Sequence, residues 1–128
     1  MNKTGLRQSR RAFTLLEIMI VVSFIGLMTA LAIPSFIKGR KQSQGKRTLN
    51  DARIIDAAVG EWALETNKKD GEAVDVAGII PYVKDGRFNT NDVLGNPYGI
   101  GPVGATQVQI SVVTKVALDG VGIDWGGY

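Results

Sequence analysis

An uncharged stretch of 20 residues, Ile18 to Ile37, constrains this chain more than any other feature of its sequence. A helix rises about 1.5 Å per residue, and about 20 apolar residues are needed to cross the hydrocarbon core of a bilayer. A cleaved signal peptide also pairs a basic start with an apolar core, but that core is usually about 7 to 15 residues long and ends in a small-residue cleavage pattern. The stretch therefore predicts one membrane-spanning helix that stays in the mature protein.

A single carboxylate, Glu17, directly precedes this stretch. A charge at the centre of a membrane helix costs about 2.5 to 3.5 kcal/mol, and less near the helix end. Glu17 therefore either has a partner or lies at the interface without a role, and the spacing alone does not separate these two interpretations.

The residues around Glu17 form a recognisable pattern. Residues 10–17 read Arg-Arg-Ala-Phe-Thr-Leu-Leu-Glu, and Gly26 and Pro34 follow within the apolar stretch. This combination of a basic leader, an acid at a fixed distance and a long apolar run resembles the processing and assembly segment of type IV pilins and of type II secretion pseudopilins. The resemblance covers residues 7–37, about a quarter of the chain.

The resemblance implies a set of site residues. A prepilin peptidase would cut between Ala12 and Phe13, Phe13 would become the N-methylated first residue, and Glu17, Gly26 and Pro34 would act in subunit assembly. The family prefers Gly before the cut, where this chain has Ala12. Because Pro34 lacks the N–H of a helical hydrogen bond, we also expect a kink there.

The same resemblance implies the fold and its location. We expect an α+β, pilin-like fold in which a long N-terminal helix, membrane-spanning in its first half, packs on a small antiparallel sheet. Residues 1–12 would be the leader peptide, 13–37 the transmembrane half of the helix, and 38–128 the extracytoplasmic domain. The chain would be a single-pass protein of the bacterial inner membrane with its domain in the periplasm or outside.

Composition excludes several other functions. Four of the 15 basic residues lie in residues 1–12, which hold no acid, so the remainder carries 11 basic and 12 acidic residues and is no basic nucleic-acid binder. Cysteine and histidine are both absent, which removes thiol chemistry, thiolate metal sites and the commonest general base. No nucleophile or phosphate-loop motif takes their place. We therefore expect no enzyme activity.

Basic residues flank the anchor on both sides, four before it and five between Lys38 and Arg47. The positive-inside rule does not choose between four and five, so the orientation rests on the resemblance. The second cluster either lies against lipid phosphates or forms a solvated helix face.

Beyond the anchor the helix should continue to about Lys68, since apolar residues recur there at steps of three and four. Asn67 to Gly71 reads as the helix end, with Gly beyond basic residues. A helix from Phe13 to Lys68 would be about 80 Å long. The apolar face consists of Leu49, Ala52, Ile55, Val59 and Trp62.

The rest of the domain should hold short elements. Asp75 is expected to cap a turn from Val76 to Ile80. Residues 92–98 keep part of the signature of major pseudopilins, a Gly-Asn-Pro turn that leads into a strand. Residues 108–112 alternate as a half-buried strand should. After them, the sequence predicts a short helix that is capped by Ser111, ends at Asp119-Gly120 and buries Val112, Val113, Val116 and Ala117.

Major pseudopilins commonly hold calcium after that turn, and calcium takes six to eight oxygen ligands. This chain offers Asp119 and Asp124, with Asp92 just upstream. They leave room for a weak calcium site, but not for one on which folding depends. We expect no other cofactor.

Three functions stay open from the sequence. The first is a homo-oligomeric fibre subunit, most like the type II secretion pseudopilus, with the prepilin peptidase and an assembly platform as partners. The second is a type IV pilin for adhesion, motility or DNA uptake. The third is a membrane-tethered binding or catalytic domain, which would need a pocket of convergent polar groups.

Overall fold

The computed structural model describes residues 12–86 and 88–128. The predicted leader, residues 1–12, therefore lies outside the described residues except for Ala12. The chain divides into two compact units, one that ends at Phe36 and one from Ile37 to Tyr128. One long apolar helix followed by a small antiparallel sheet confirms the predicted α+β class.

Helix α1 runs from Leu15 to Glu65 and ends a few residues before the predicted Lys68. Asn67 adopts the left-handed conformation, with φ at 53°. The Lys68 N–H then donates to the Ala63 carbonyl at 2.8 Å, as in a Schellman cap. The left-handed residue at the helix end is thus Asn67 and not the predicted Gly71; Asn is one of the few residues besides Gly that adopt this conformation.

The second half of α1 forms one side of the domain core, as the spacing of its apolar residues predicted. Gly78 of helix α2 (Val76–Ile79) allows a close approach to the Trp62 indole, since a Cβ there would lie 2.8 Å from Nε1. Asp75 caps α2 as predicted, accepting from the Ala77 N–H at 3.1 Å. The buried residues of α1 are Gly45, Thr48, Ala52, Ile55, Ala58, Val59, Trp62 and Ala63.

The loop between α2 and the sheet contains two short 3₁₀ turns, Ile80–Tyr82 and Lys84–Gly86. Pro81 lies at the start of the first, where its missing N–H costs nothing. These turns carry the chain from α2 to the sheet.

The sheet has two antiparallel strands, β1 (Gly99–Ile100) and β2 (Val108–Gln109), with Ile100 opposite Val108. The predicted strand over residues 108–112 was too long. Burial does alternate there as expected, but the chain turns into a helix after Ile110. The Gly-Asn-Pro turn leads into β1 as predicted, through a bridge between Asn91 and Pro97.

A buried carboxylate, Asp92, organises this turn. Its Oδ1 accepts the main-chain N–H groups of Leu94 and Asn96, at 2.9 and 3.0 Å. Its Oδ2 accepts the Thr114 hydroxyl, which also accepts from Asn96 Nδ2 at 2.8 Å. We call Asp92, Asn96 and Thr114 the Asp92 network. It ties the turn to a helix 18 residues further along the chain.

That helix, α3 (Val112–Ala117), exists as predicted but buries a different face. Thr114 and the following Leu118 are buried, whereas Val112, Val113 and Val116 are 65 to 72% exposed. Ser111 holds the N-cap position without a side-chain capping bond. The prediction followed apolarity, but the Asp92 network sets the rotation of α3 by holding Thr114 inward.

The C-terminal residues pack back on the domain. Ile123 and Trp125 lie against Gly45, where a Cβ would overlap Ile123. The Tyr128 hydroxyl donates to Asp56 Oδ2 at 3.2 Å. The tail therefore closes one side of the core against α1.

We predict that Asp92→Ala destabilises the domain by about 2 to 4 kcal/mol, because it leaves two N–H groups and a hydroxyl without their acceptor in a buried site. The measurement is denaturant unfolding of the full chain in detergent. The matched control is Asp124→Ala, an exposed acid that accepts the Gly126 N–H, and it should cost less than about 1 kcal/mol. Equal effects of the two substitutions would contradict the proposed role of the network.

Candidate assembly site

Thr14 and Glu17 form a reciprocal cap at the start of α1. The Thr14 N–H donates to Glu17 Oε2 at 3.0 Å, and the Thr14 hydroxyl contacts the same oxygen at 3.3 Å. In return, the Glu17 N–H donates to the Thr14 hydroxyl at 3.2 Å. This is a capping box, with Thr14 as N-cap and Glu17 three residues later.

The cap gives Glu17 a structural role that the sequence reasoning missed. A carboxylate in the first turn also interacts favourably with the positive end of the helix dipole. The signal was present, since Thr-x-x-Glu before an apolar run is the sequence signature of a capping box. The cap also explains why α1 begins at Leu15 and not at the predicted Phe13.

The predicted cleavage site lies just outside the helix. Ala12 and Phe13 have no regular secondary structure and are exposed, with Phe13 81% accessible. Ala12, Phe13, Thr14 and Glu17 together line a surface pocket of about 500 Å³. The bond between Ala12 and Phe13 is therefore in accessible, non-helical backbone, the form that a protease can engage.

The other predicted assembly residues lie further along the same helix. Gly26 and Pro34 are about 14 and 26 Å from Glu17 at the helical rise, so the structure does not bring them to the capping box. Helix α1 continues through Pro34. At Gly26 the surface is open, with nothing within 4 Å of an added Cβ.

The first half of α1 has a continuous apolar surface. Its hydroxyls bond back to the helix, Ser23 to the Met19 carbonyl at 2.7 Å and Thr29 to that of Ile25 at 2.8 Å. Helix α1 is long and apolar enough to cross a membrane. Its large hydrophobic side chains are each about half exposed or more: Leu15, Leu16, Ile18, Met19, Ile20, Val21, Val22, Phe24, Ile25, Leu27, Met28, Leu31, Ile33, Phe36 and Ile37.

The acids proposed for calcium are used in different ways. Asp92 engages both of its oxygens in the Asp92 network. Asp119 and Asp124 are exposed and accept main-chain N–H groups in their own turns. Among residues 12–86 and 88–128, no three acidic side chains gather where they could hold a metal ion.

Several domain groups have shifted pKa values, Tyr98 and Asp51 among them. Burial, together with the nearby charges of Asp51 and Asp92, raises the pKa of Tyr98, whose hydroxyl donates to the Thr48 carbonyl at 3.3 Å. Burial also raises the pKa of Asp51, against the opposing charge of Arg47. Tyr98 thus stays a neutral donor between α1 and the sheet.

Known proteins of two kinds are similar to this chain. Type II secretion system core protein G from Klebsiella michiganensis is 29% identical over 62 residues, 48% of this chain and 44% of that protein. Type IV major pilin protein PilA from Myxococcus xanthus is 55% identical over 42 residues, 30% of this chain and 19% of that protein. The chain is therefore similar both to type II secretion core proteins and to type IV pilins.

The similarity to a further relative extends over more of this chain. Fimbrial protein EcpC from Eikenella corrodens is 29% identical over 113 residues, 87% of this chain and 71% of that protein. The chain spans only 41 to 44% of the length of three core protein G relatives. No family model matches the chain, and no solved structure gives a significant match.

The capping box should stabilise the first turn of α1. We predict that Thr14→Val frays the first turn, because removal of an N-cap hydroxyl costs about 0.5 to 2 kcal/mol. Amide hydrogen exchange of Glu17 and Ile18, whose N–H groups both donate to Thr14, should then speed up by about 2- to 30-fold. Thr29→Val is the control, since the Thr29 hydroxyl bonds within the helix. Unchanged exchange in Thr14→Val would refute the cap.

Proposed function

We propose that this chain is a structural subunit of a pilus-like fibre, anchored in the bacterial inner membrane before assembly and most like the pseudopilus of a type II secretion system. The observation that carries the proposal is the exposed apolar half of α1, which begins at a capped carboxylate. In water that surface would be costly to leave uncovered. Lipid covers it before assembly, and copies of the same helix cover it in the fibre.

The proposal includes processing of the N-terminus. A prepilin peptidase cuts between Ala12 and Phe13, and the new N-terminal Phe13 is then methylated. The exposed, non-helical backbone at this bond supports the cut. Gly26 and Pro34 serve as points where the helix adapts its course as subunits pack, because Gly weakens a helix and Pro removes one of its hydrogen bonds.

Glu17 has a second role in this proposal. Its Oε2 accepts from Thr14, while Oε1 makes no hydrogen bond to any of residues 12–86 and 88–128. Cleavage creates an α-amino group on Phe13, and that amine on a neighbouring subunit pairs with Glu17. Opposite charges attract more strongly in a low-dielectric surround than in water, and a single buried charge there would be costly.

Observations support each of the two fibre types. The relatives named core protein G, the Gly-Asn-Pro-Tyr turn and the absence of cysteine favour a pseudopilin. The 55% identical stretch shared with a type IV major pilin favours the alternative. Disruption of the gene separates them, since loss of protein secretion supports the pseudopilus and loss of surface fibres with intact secretion supports a type IV pilus. Gene neighbours give the same distinction. A secretin gene beside a secretion ATPase gene indicates a pseudopilus, and a retraction ATPase gene indicates a type IV pilus.

Processing predicts a defined mass change. Protein extracted from membranes of cells with an active prepilin peptidase should lack residues 1–12 and carry one methyl group, as read by mass spectrometry. Phe13 should be the first residue by N-terminal sequencing. An intact Met1 in those cells would overturn the cleavage proposal, and peptidase-deficient cells supply the uncut control.

Glu17→Gln separates the charge of Glu17 from its role as a cap. Glutamine also serves at this position of a capping box, so the variant should keep the first turn of α1 and insert into membranes. It cannot pair with the Phe13 amine as a charge, and we predict that fibres no longer form. The measurement is electron microscopy of sheared fibres beside membrane fractionation.

Two controls make this result decisive. Glu17→Asp keeps the charge but shortens the side chain, and should retain part of the assembly. Thr14→Val weakens the cap but keeps the charge, and should assemble better than Glu17→Gln. Normal fibres from Glu17→Gln would refute the pairing and leave Glu17 as a cap alone.

A further inference from the structure

Three cations lie directly after the apolar half of α1. Lys38, Arg40 and Lys41, which we call the Lys38 cluster, come before Gly45, the first buried residue of the helix. The domain therefore begins to cover α1 at the end of the cluster. Lys38 and Arg40 are exposed and Lys41 is half-buried.

The cluster lacks an acidic partner within the described part of the chain. The ion pair in the described part of the chain joins Lys68 to Glu72 at 3.1 Å and does not involve the Lys38 cluster. From Ile18 to Asn50 the sequence contains no acid, and the first one is Asp51. Neighbouring copies at the same depth in a bilayer thus bring no carboxylate to the cluster.

Depth favours lipid as the partner. With Ile37 at the edge of the hydrocarbon core, the cluster lies about 1.5 to 6 Å beyond that edge at the helical rise. The polar headgroup layer of a bilayer is about 5 to 8 Å thick on each side. The cluster therefore falls within this layer, whereas Lys46 lies about 14 Å out and Asp51 about 21 Å out.

We propose that Lys38, Arg40 and Lys41 bind the phosphate groups of anionic phospholipids in the leaflet that faces the domain. The proposal rests on the membrane anchoring in the proposed function. Arg40 can engage a phosphate through two parallel N–H groups, and the two lysines act as point charges. The contacts set the depth of the subunit and enrich anionic lipid around it before assembly.

The absence of cysteine allows a local measurement. The full chain with Gln42→Cys carries a fluorophore beside the cluster, in vesicles of equimolar phosphatidylcholine and phosphatidylglycerol. In each sample one of the two lipids bears a nitroxide quencher high on its acyl chain. The quenching ratio then reports which lipid surrounds the cluster.

We expect quenching by phosphatidylglycerol to exceed quenching by phosphatidylcholine, with a local enrichment of up to about fivefold for each cation. Lys38→Gln/Arg40→Gln/Lys41→Gln should bring the ratio close to one. The control Lys46→Gln/Arg53→Gln/Lys69→Gln removes the same charge from exposed positions further out, and should retain the preference. Added salt should weaken the wild-type preference.

The other outcomes overturn the assignment in distinguishable ways. Equal loss in both triple variants would mean general attraction by net charge. If the wild type shows no lipid preference and the cluster variant still forms fibres, the cluster is a solvated helix face. If the wild type shows no preference and the cluster variant loses its fibres, the partner of the cluster is an acidic surface of another subunit. Failure of the wild-type chain to float with vesicles would refute the anchoring proposal, and the lipid assignment with it.

Discussion

The structure depends on what covers the exposed apolar surface of α1 between Leu15 and Ile37. Burial of a large apolar side chain stabilises by about 1.5 to 3 kcal/mol, so exposure of this whole segment to water would cost tens of kcal/mol. Among the described residues, the large side chains of this segment are each about half exposed or more. Cover by lipid or by other copies of the helix would remove this cost, and together with the relatives named core protein G and type IV major pilin this supports the proposed fibre subunit.

The domain buries its own apolar side chains with few regular elements. Its core is one side of α1 covered by α2, two two-residue strands and the C-terminal tail. With so little sheet, long-range polar contacts supply much of the order. The Asp92 network orients α3, and Tyr98 reaches the main chain of α1 at Thr48. A small hydrophobic core is sufficient because its loops are held by such buried hydrogen bonds.

Features set by local pattern were predictable, and features set by distant contacts were not. The buried face of α1 followed from spacing, because a helix places residues three and four apart on one side. The Asp75 cap followed from residue type. The rotation of α3 did not, since Thr114 is buried beside Leu118 and donates its hydroxyl to Asp92, 22 positions earlier. The role of Thr14 follows from its spacing to Glu17, since Thr-x-x-Glu before an apolar run is the signature of a capping box.

The central claim is that copies of α1 cover one another through the apolar segment. Cysteine pairs such as Leu16→Cys with Phe24→Cys test it most directly in this cysteine-free chain. Two residues eight apart lie about 12 Å apart along one helix, too far for a disulfide within it, so any bond joins two chains. For a set of such pairs, oxidation of sheared fibres should give ladders of covalent multimers on a denaturing gel. The account would be contradicted if every pair in the segment gave monomers while pairs on the domain surface, such as Val113→Cys with Leu64→Cys, gave multimers.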